Sequence, residues 1–140
     1  MSDFELDTRL KNDCFVLGEL ELCQLLLMNN ALVPWFILVP KTTKIEIMDL
    51  TQSDQATLLQ EINLVSPYLK NHFNISKLNI AAIGNIVNQL HIHIVGRHPE
   101  DYCWPNVVWG TREKEPYADN QVTEIKNSLG NYIGSKLRVF

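Results

Sequence analysis

Cysteine, glycine, proline and basic residues are all sparse in this 140-residue chain, and each shortage closes off a class of protein. Its three cysteines, Cys14, Cys23 and Cys103, lie far apart and form no CxxC pair, which argues against a zinc ribbon or a thioredoxin-type dithiol. They read as free thiols, buried or half-buried, of a reducing compartment. Six glycines and six prolines form no flexible linker or low-complexity run, and no internal repeat occurs. Long apolar runs are missing too. The longest, 31–39, is broken by Pro34 and falls well short of the ~20 residues that span a bilayer. The N-terminus, MSDFELDTRL, carries acidic residues and no apolar stretch, so it does not read as a secretory signal. Lys and Arg number 12 against 16 Asp and Glu, a net charge of −4. Without a general basic field, a long nucleic acid bound through many phosphates is not expected, although a local site for a small anion is compatible with the balance. The expectation is a soluble, cytoplasmic protein with no membrane partner.

What is present suits one globular domain over 1–140, with a core at about 14–110 and a C-terminal extension at 111–140. Apolar residues make up 46% and charged residues 20%, an ordinary ratio for a packed domain. Short apolar runs at 14–17, 23–28 and 36–39 are punctuated by Gly18, Asn29-Asn30 and Pro34, and read as strands joined by turns. From Thr51 the period changes. Leu58, Leu59, Ile62, Val65 and Leu69 share helical spacing, Thr51 and Asp54 resemble a capping box, and a long helix is expected at about 51–73. Pro67 should kink it or weaken its last turns. A strand at 78–83 ends at Gly84, and the run 89–95 alternates polar and apolar residues throughout. The irregular aromatic stretch 98–116 follows. Val122, Ile125 and Leu129 then mark a short C-terminal helix. Strands, a helix, then strands predict an α+β domain with helix packed on an antiparallel sheet.

The segment Gln89-Leu90-His91-Ile92-His93-Ile94-Val95 carries the chemistry. On a strand, Leu90, Ile92 and Ile94 face the core, while Gln89, His91 and His93 share the other face at ~6.5–7 Å spacing. That second face is expected to be exposed. Three readings compete: solvated or cross-strand-bonded histidines with no chemistry; a metal site, which needs a ligand beyond the pair; and nucleophilic catalysis at phosphorus, with one imidazole attacking and the other stabilising charge. The loop 84–88, opened by Gly84-Asn85, favours the third, because glycine admits close backbone approach and an asparagine amide donates to a phosphoryl oxygen without charge.

The run 84–95 resembles the signature of the histidine triad (HIT) superfamily, His-φ-His-φ-His-φ-φ. The stretch 25–41, with its strand, Asn, turn, Pro and strand, is similar to the unit that precedes it in that family. Residues 97–110, with Asp101, Trp104-Pro105 and Trp109-Gly110, resemble a bacterial hydrolase branch. The resemblance implies a five-stranded antiparallel sheet with one long and one short C-terminal helix, a homodimer, and a hydrolase or nucleotidyl transferase acting at the α-phosphorus of a dinucleoside polyphosphate or nucleoside phosphoramidate. It implies His91 as nucleophile, His93 as phosphate contact, Asn85 on the phosphate, and Asn29 near the ribose, with Asn30 as its alternative. The Gln89 carbonyl would accept from His91 and fix its tautomer. Gln89 also stands where the motif has its first histidine, and keeps hydrogen bonding without a proton to titrate. We therefore take Gln89, His91 and His93 as the catalytic set, and Asn29, Asn85, Gln89 and His93 as substrate contacts. No resident cofactor or metal is expected; a Mg²⁺ would enter only with substrate. A non-catalytic nucleotide-binding or regulatory module is the rival. Trp104 and Trp109 either edge the site, in this or a partner subunit, or anchor the irregular segment. Arg97 reads as half of a surface ion pair, with phosphate contact as the alternative.

Overall fold

The computed structural model describes residues 4–140, so residues 1–3 of the acidic N-terminus lie outside it. Along the chain run helix α1 (Thr8–Asp13), strands β1 (Cys14–Glu19), β2 (Cys23–Met28) and β3 (Trp35–Pro40), helix α2 (Gln52–His72), strands β4 (Lys77–Ala81) and β5 (Ile92–Arg97), helix α3 (Asp119–Ile133) and strand β6 (Arg138–Val139). All strands join one antiparallel sheet in the order β4-β5-β3-β2-β1-β6.

The sheet has six strands rather than five. The sixth is only two residues long, too short to show a period. It pairs with Gly18 and Glu19 of β1. Gly18 permits the approach, because a Cβ there would lie 2.6 Å from the Arg138 carbonyl oxygen.

Strand β3 explains why the molecule has cores on both sides of the sheet: all six of its residues are buried. Alternate side chains of a strand point to opposite faces. Phe36 and Leu38 enter one core, beneath Leu58, Val65, Tyr68 and Leu69 of α2 and Ile125 and Leu129 of α3. Trp35, Ile37 and Val39 enter a second, smaller core with Leu6, Leu10, Val95 and Val108. The packed interior thus draws on residues at both ends of the chain, beyond 14–110.

Helix α2 begins as the sequence indicates, with Thr51 Oγ1 accepting from the Asp54 N–H at 3.0 Å. It passes through Pro67 and continues to His72, carried by the burial of Tyr68 and Leu69. On its buried side Glu61 accepts from the backbone N–H groups of Leu22 (2.8 Å) and Cys23 (2.9 Å), pinning the β1–β2 turn to the helix. Cys14 and Cys23 are buried free thiols and Cys103 is half-buried. No helix among the described residues is long and apolar enough to cross a membrane.

Candidate active site

Strand β5 places the two histidines, but not as a simple seven-residue alternation. Paired residues run from Ile92 to Arg97, with Ile37 opposite His93 on one side and Ala81 on the other. Strand β4 ends at Ala81, and the pairing with β3 ends at Leu38–Ile92. Residues 89–91, expected as strand, therefore precede the ladder. Leu90, Ile92 and Ile94 nevertheless enter the helix-side core as their spacing indicates. His91 and His93 take the opposite face, and that face is covered rather than exposed: the residues are 7% and 6% accessible. The N-terminal segment and residues 108–109 pack over it. Period alone does not reveal this second layer, because its residues come from distant parts of the chain.

Each imidazole has one nitrogen committed. His91 Nδ1 lies 2.7 Å from the Gln89 carbonyl oxygen. A carbonyl only accepts, so Nδ1 carries the proton and Nε2 keeps its lone pair in the neutral ring. For His93 the polarity is reversed. The Trp35 indole N–H donates to His93 Nδ1 at 2.9 Å, so the neutral His93 carries its proton on Nε2. The two ring centroids are 5.0 Å apart. The pair thus presents a nucleophilic nitrogen beside a fixed N–H donor. Burial first, and then the charge on nearby His91, lower the His93 pKa to about 4, which keeps this donor neutral near pH 7.

These residues open onto a cavity of about 440 Å³. His91, His93, Asn30, Gly84, Asn85, Trp35 and Trp109 line it, with Leu10 and Met28 as apolar wall and Arg9, Asp13, Arg112 and Lys114 contributing charge. Gly84 turns the loop with φ +66°, a left-handed conformation that glycine adopts without steric cost. Asn85 is exposed at this loop. Of the two adjacent asparagines, Asn30 lines the cavity and Asn29 does not. Asn29 Oδ1 accepts from the Tyr117 N–H at 2.8 Å. Asn30 Oδ1 accepts from the N–H groups of Leu32 and Glu115, both at 3.2 Å. Among the described residues, no three or more His, Cys, Asp or Glu are grouped so as to hold a metal.

Gln89 takes a place that its motif position does not indicate. Its side chain is absent from the cavity lining and is bonded instead to the N-terminal segment, accepting from Asp7 N–H (2.8 Å) and donating to the Glu5 carbonyl (3.0 Å). Arg97 is likewise away from the cavity, and its ion pair is not a surface one. It is 1% accessible, paired in a two-point contact with Asp101 (2.7 and 3.1 Å) and bonded to Asn79 Oδ1 and the Asn106 carbonyl. The two tryptophans divide the readings between them. Trp104 sits over the Arg97 guanidinium, 5.6 Å from its ring centre, as an anchor. Trp109 packs edge-on against His93 and Trp35, at 5.4 and 6.0 Å between centroids. Its Nε1 is buried and has no hydrogen-bond partner among the described residues.

Sequence reasoning missed Trp35 and the α1 residues Arg9, Leu10 and Asp13. A tryptophan heading a strand opposite Val95 is a signal only once the β3–β5 register is known. The signal for α1 is Asp7, whose Oδ1 caps the helix by accepting from the Arg9 N–H at 2.8 Å.

Comparison with known proteins places this arrangement. The model of the HIT domain matches residues 9–100. A solved histidine triad protein from Bradyrhizobium japonicum superposes with TM-score 0.90 at 39% identity, covering 94% of this chain and 98% of the other. Another from Sinorhizobium meliloti gives 0.89 at 42%, with 93% and 97% covered. A third, from Marinobacter aquaeolei, gives 0.88 at 40%, with 93% and 96% covered. No curated protein matches the chain.

Proposed function

The chain belongs to the histidine triad family, and from that premise we propose that it is a nucleotide hydrolase or nucleotidyl transferase working through a covalent nucleotidyl-histidine. Membership supports nucleotide-binding, hydrolase-type function in general. The finer reading rests on one observation: the opposed tautomers of His91 and His93, each set by a single protein hydrogen bond.

In the first step His91 Nε2 attacks the α-phosphorus, a P–N bond forms, and the P–O or P–N bond to the leaving group breaks with its electron pair, a leaving amine taking a proton from solvent. The ring stays protonated at Nδ1, and the Gln89 carbonyl dipole favours the positive charge that builds there. His93 Nε2–H, Asn85 and backbone N–H groups of loop 84–88 donate to the phosphoryl oxygens. Donors fixed in advance act most strongly where charge develops in the transition state. In the second step water or another acceptor attacks phosphorus and releases its proton to solvent, the P–N bond breaks, and the lone pair returns to Nε2 as the nucleotide leaves. Asn30 rather than Asn29 is the ribose contact in this scheme, since Asn30 lines the cavity and its Nδ2 bonds no described residue. No step requires a resident metal; a Mg²⁺ would arrive on the substrate.

The proposed assembly is a homodimer joined along the free edge of β4. Ile80 on that strand, and Ile83 and Ile86 just beyond it, are 46%, 40% and 76% accessible, and an apolar edge strand favours pairing with another chain. The activity is tested by incubating the protein with a diadenosine polyphosphate or adenosine phosphoramidate and measuring AMP. Release that disappears in His91→Ala while binding persists is the expected result. Tight binding without release by the unmodified protein would make it a binding module instead.

A further inference from the structure

Gln89 offers the observation that the proposed chemistry does not use. Its carbonyl serves His91, yet its side chain turns away and grips residues 5–7. The pattern is specific. Accepting from the N–H of residue 7 and donating to the C=O of residue 5 is what one residue of a parallel strand does, through its own C=O and N–H, to its neighbour. One side-chain amide supplies both contacts because its donor and acceptor lie side by side. An imidazole cannot, since its two nitrogens point to divergent edges of the ring.

The gripped segment leads directly into the cavity wall. Leu6, between the two contacts, is 5% accessible in the second core. Asp7 caps α1, and α1 supplies Arg9, Leu10 and Asp13 to the lining. Residue 89 is thus the covalent neighbourhood of the nucleophile and the anchor of the wall opposite it.

We propose that the Gln89 amide is a positioning residue, a clamp that makes segment 5–13 part of the ligand site and so governs substrate retention rather than the chemical step. This rests on the nucleotide-site reading above. The His91 bond goes to the main chain of residue 89, so it survives any side chain there. A neutral hydrogen bond is worth about a factor of five, and losing two should loosen the segment by about tenfold or more. In Gln89→Ala and Gln89→His, KM for the AMP-releasing substrate is expected to rise about tenfold with kcat changed less than about threefold. Asp7→Ala, which removes the α1 cap but leaves the clamp's own N–H, should raise KM in the same direction.

The test pairs these kinetics with two readouts that need no turnover: AMP binding by calorimetry, and hydrogen exchange of the Asp7 amide. Faster Asp7 exchange with weakened AMP binding in both Gln89 variants supports the clamp. Unchanged exchange, or a fall in kcat at constant KM, overturns it and returns the Gln89 side chain to the chemistry. If the unmodified protein binds AMP but releases none from substrate, the enzymatic reading falls while exchange and binding still decide the clamp.

Discussion

Replacing Trp35 with phenylalanine isolates the hydrogen bond on which the site's polarity depends. The substitution keeps an aromatic ring against Ile37 and Val95 in the second core but deletes the N–H that donates to His93 Nδ1 at 2.9 Å. His93 is 6% accessible, so its Nδ1 loses its partner where little water replaces it. Leaving a buried acceptor unsatisfied costs about 1–3 kcal/mol, and the smaller ring adds a cavity term of about 1 kcal/mol. A total of about 2–4 kcal/mol should appear in urea unfolding. The bond that holds the proton on Nε2 is also gone, so the Nδ1–H tautomer, equally unpaired at Nδ1, becomes populated. The nitrogen facing substrate then becomes an acceptor, and a donor to the phosphoryl oxygen is lost. Removal of one such preorganised donor costs about 10²–10³ in kcat, and partial tautomer exchange should cost about 10–100-fold. Imidazole ¹⁵N spectra distinguish the two tautomers directly. A Trp35→Phe variant that keeps His93 protonated on Nε2 and loses kcat by less than about twofold would refute the reasoning.

Three further outcomes follow from the same structure. His93 has its pKa lowered to about 4 by burial and by His91, against about 6.5 in an unfolded chain. The unfolded state therefore takes up a proton that the folded state refuses between those values. Stability from this group is full above pH 6.5 and falls as pH drops towards 4, on the order of 2 kcal/mol between pH 7 and pH 5. Urea unfolding at the two pH values should show that loss in the natural protein and not in His93→Asn. Arg97→Ala leaves the buried Asp101 carboxylate without its two-point partner and should destabilise by about 3–5 kcal/mol, read as a lowered unfolding midpoint with the Trp104 fluorescence changed. Ile80→Lys on the β4 edge should abolish the proposed dimer in sedimentation velocity while changing the chain's unfolding free energy by less than about 0.5 kcal/mol, since the residue is exposed.

Much of this architecture was legible because local patterns agree with the packing. The helical spacing of Leu58, Val65 and Leu69 became the buried stripe of α2, and the alternation Leu90, Ile92, Ile94 became the floor of the helix-side core. The His91–Gln89 carbonyl contact was likewise expected and is present at 2.7 Å. What the sequence concealed depends on contacts between residues far apart in the chain. The second core on the face of His91 and His93 is built from Leu6, Leu10, Val108 and Trp109, with Trp35 and Trp109 against His93 itself, and these residues carry no periodicity that announces a second layer. Trp35 meets His93 across 58 positions, and Gln89 meets Glu5 and Asp7 across more than 80. In the sequence Arg97 reads as half of a surface ion pair, whereas Asp101, Asn79 and the Asn106 carbonyl complete an enclosed nest around it.

The central claim is that His91 Nε2 becomes bonded to phosphorus. Rapid quenching with a substrate labelled in its α-phosphate, followed by peptide mapping, observes that bond. The account predicts a transient adduct on His91 that is labile in acid and stable in base, forms faster than AMP is released, and is absent in His91→Ala. AMP release by a protein that shows no adduct on any time scale, or carries it on His93, would contradict it.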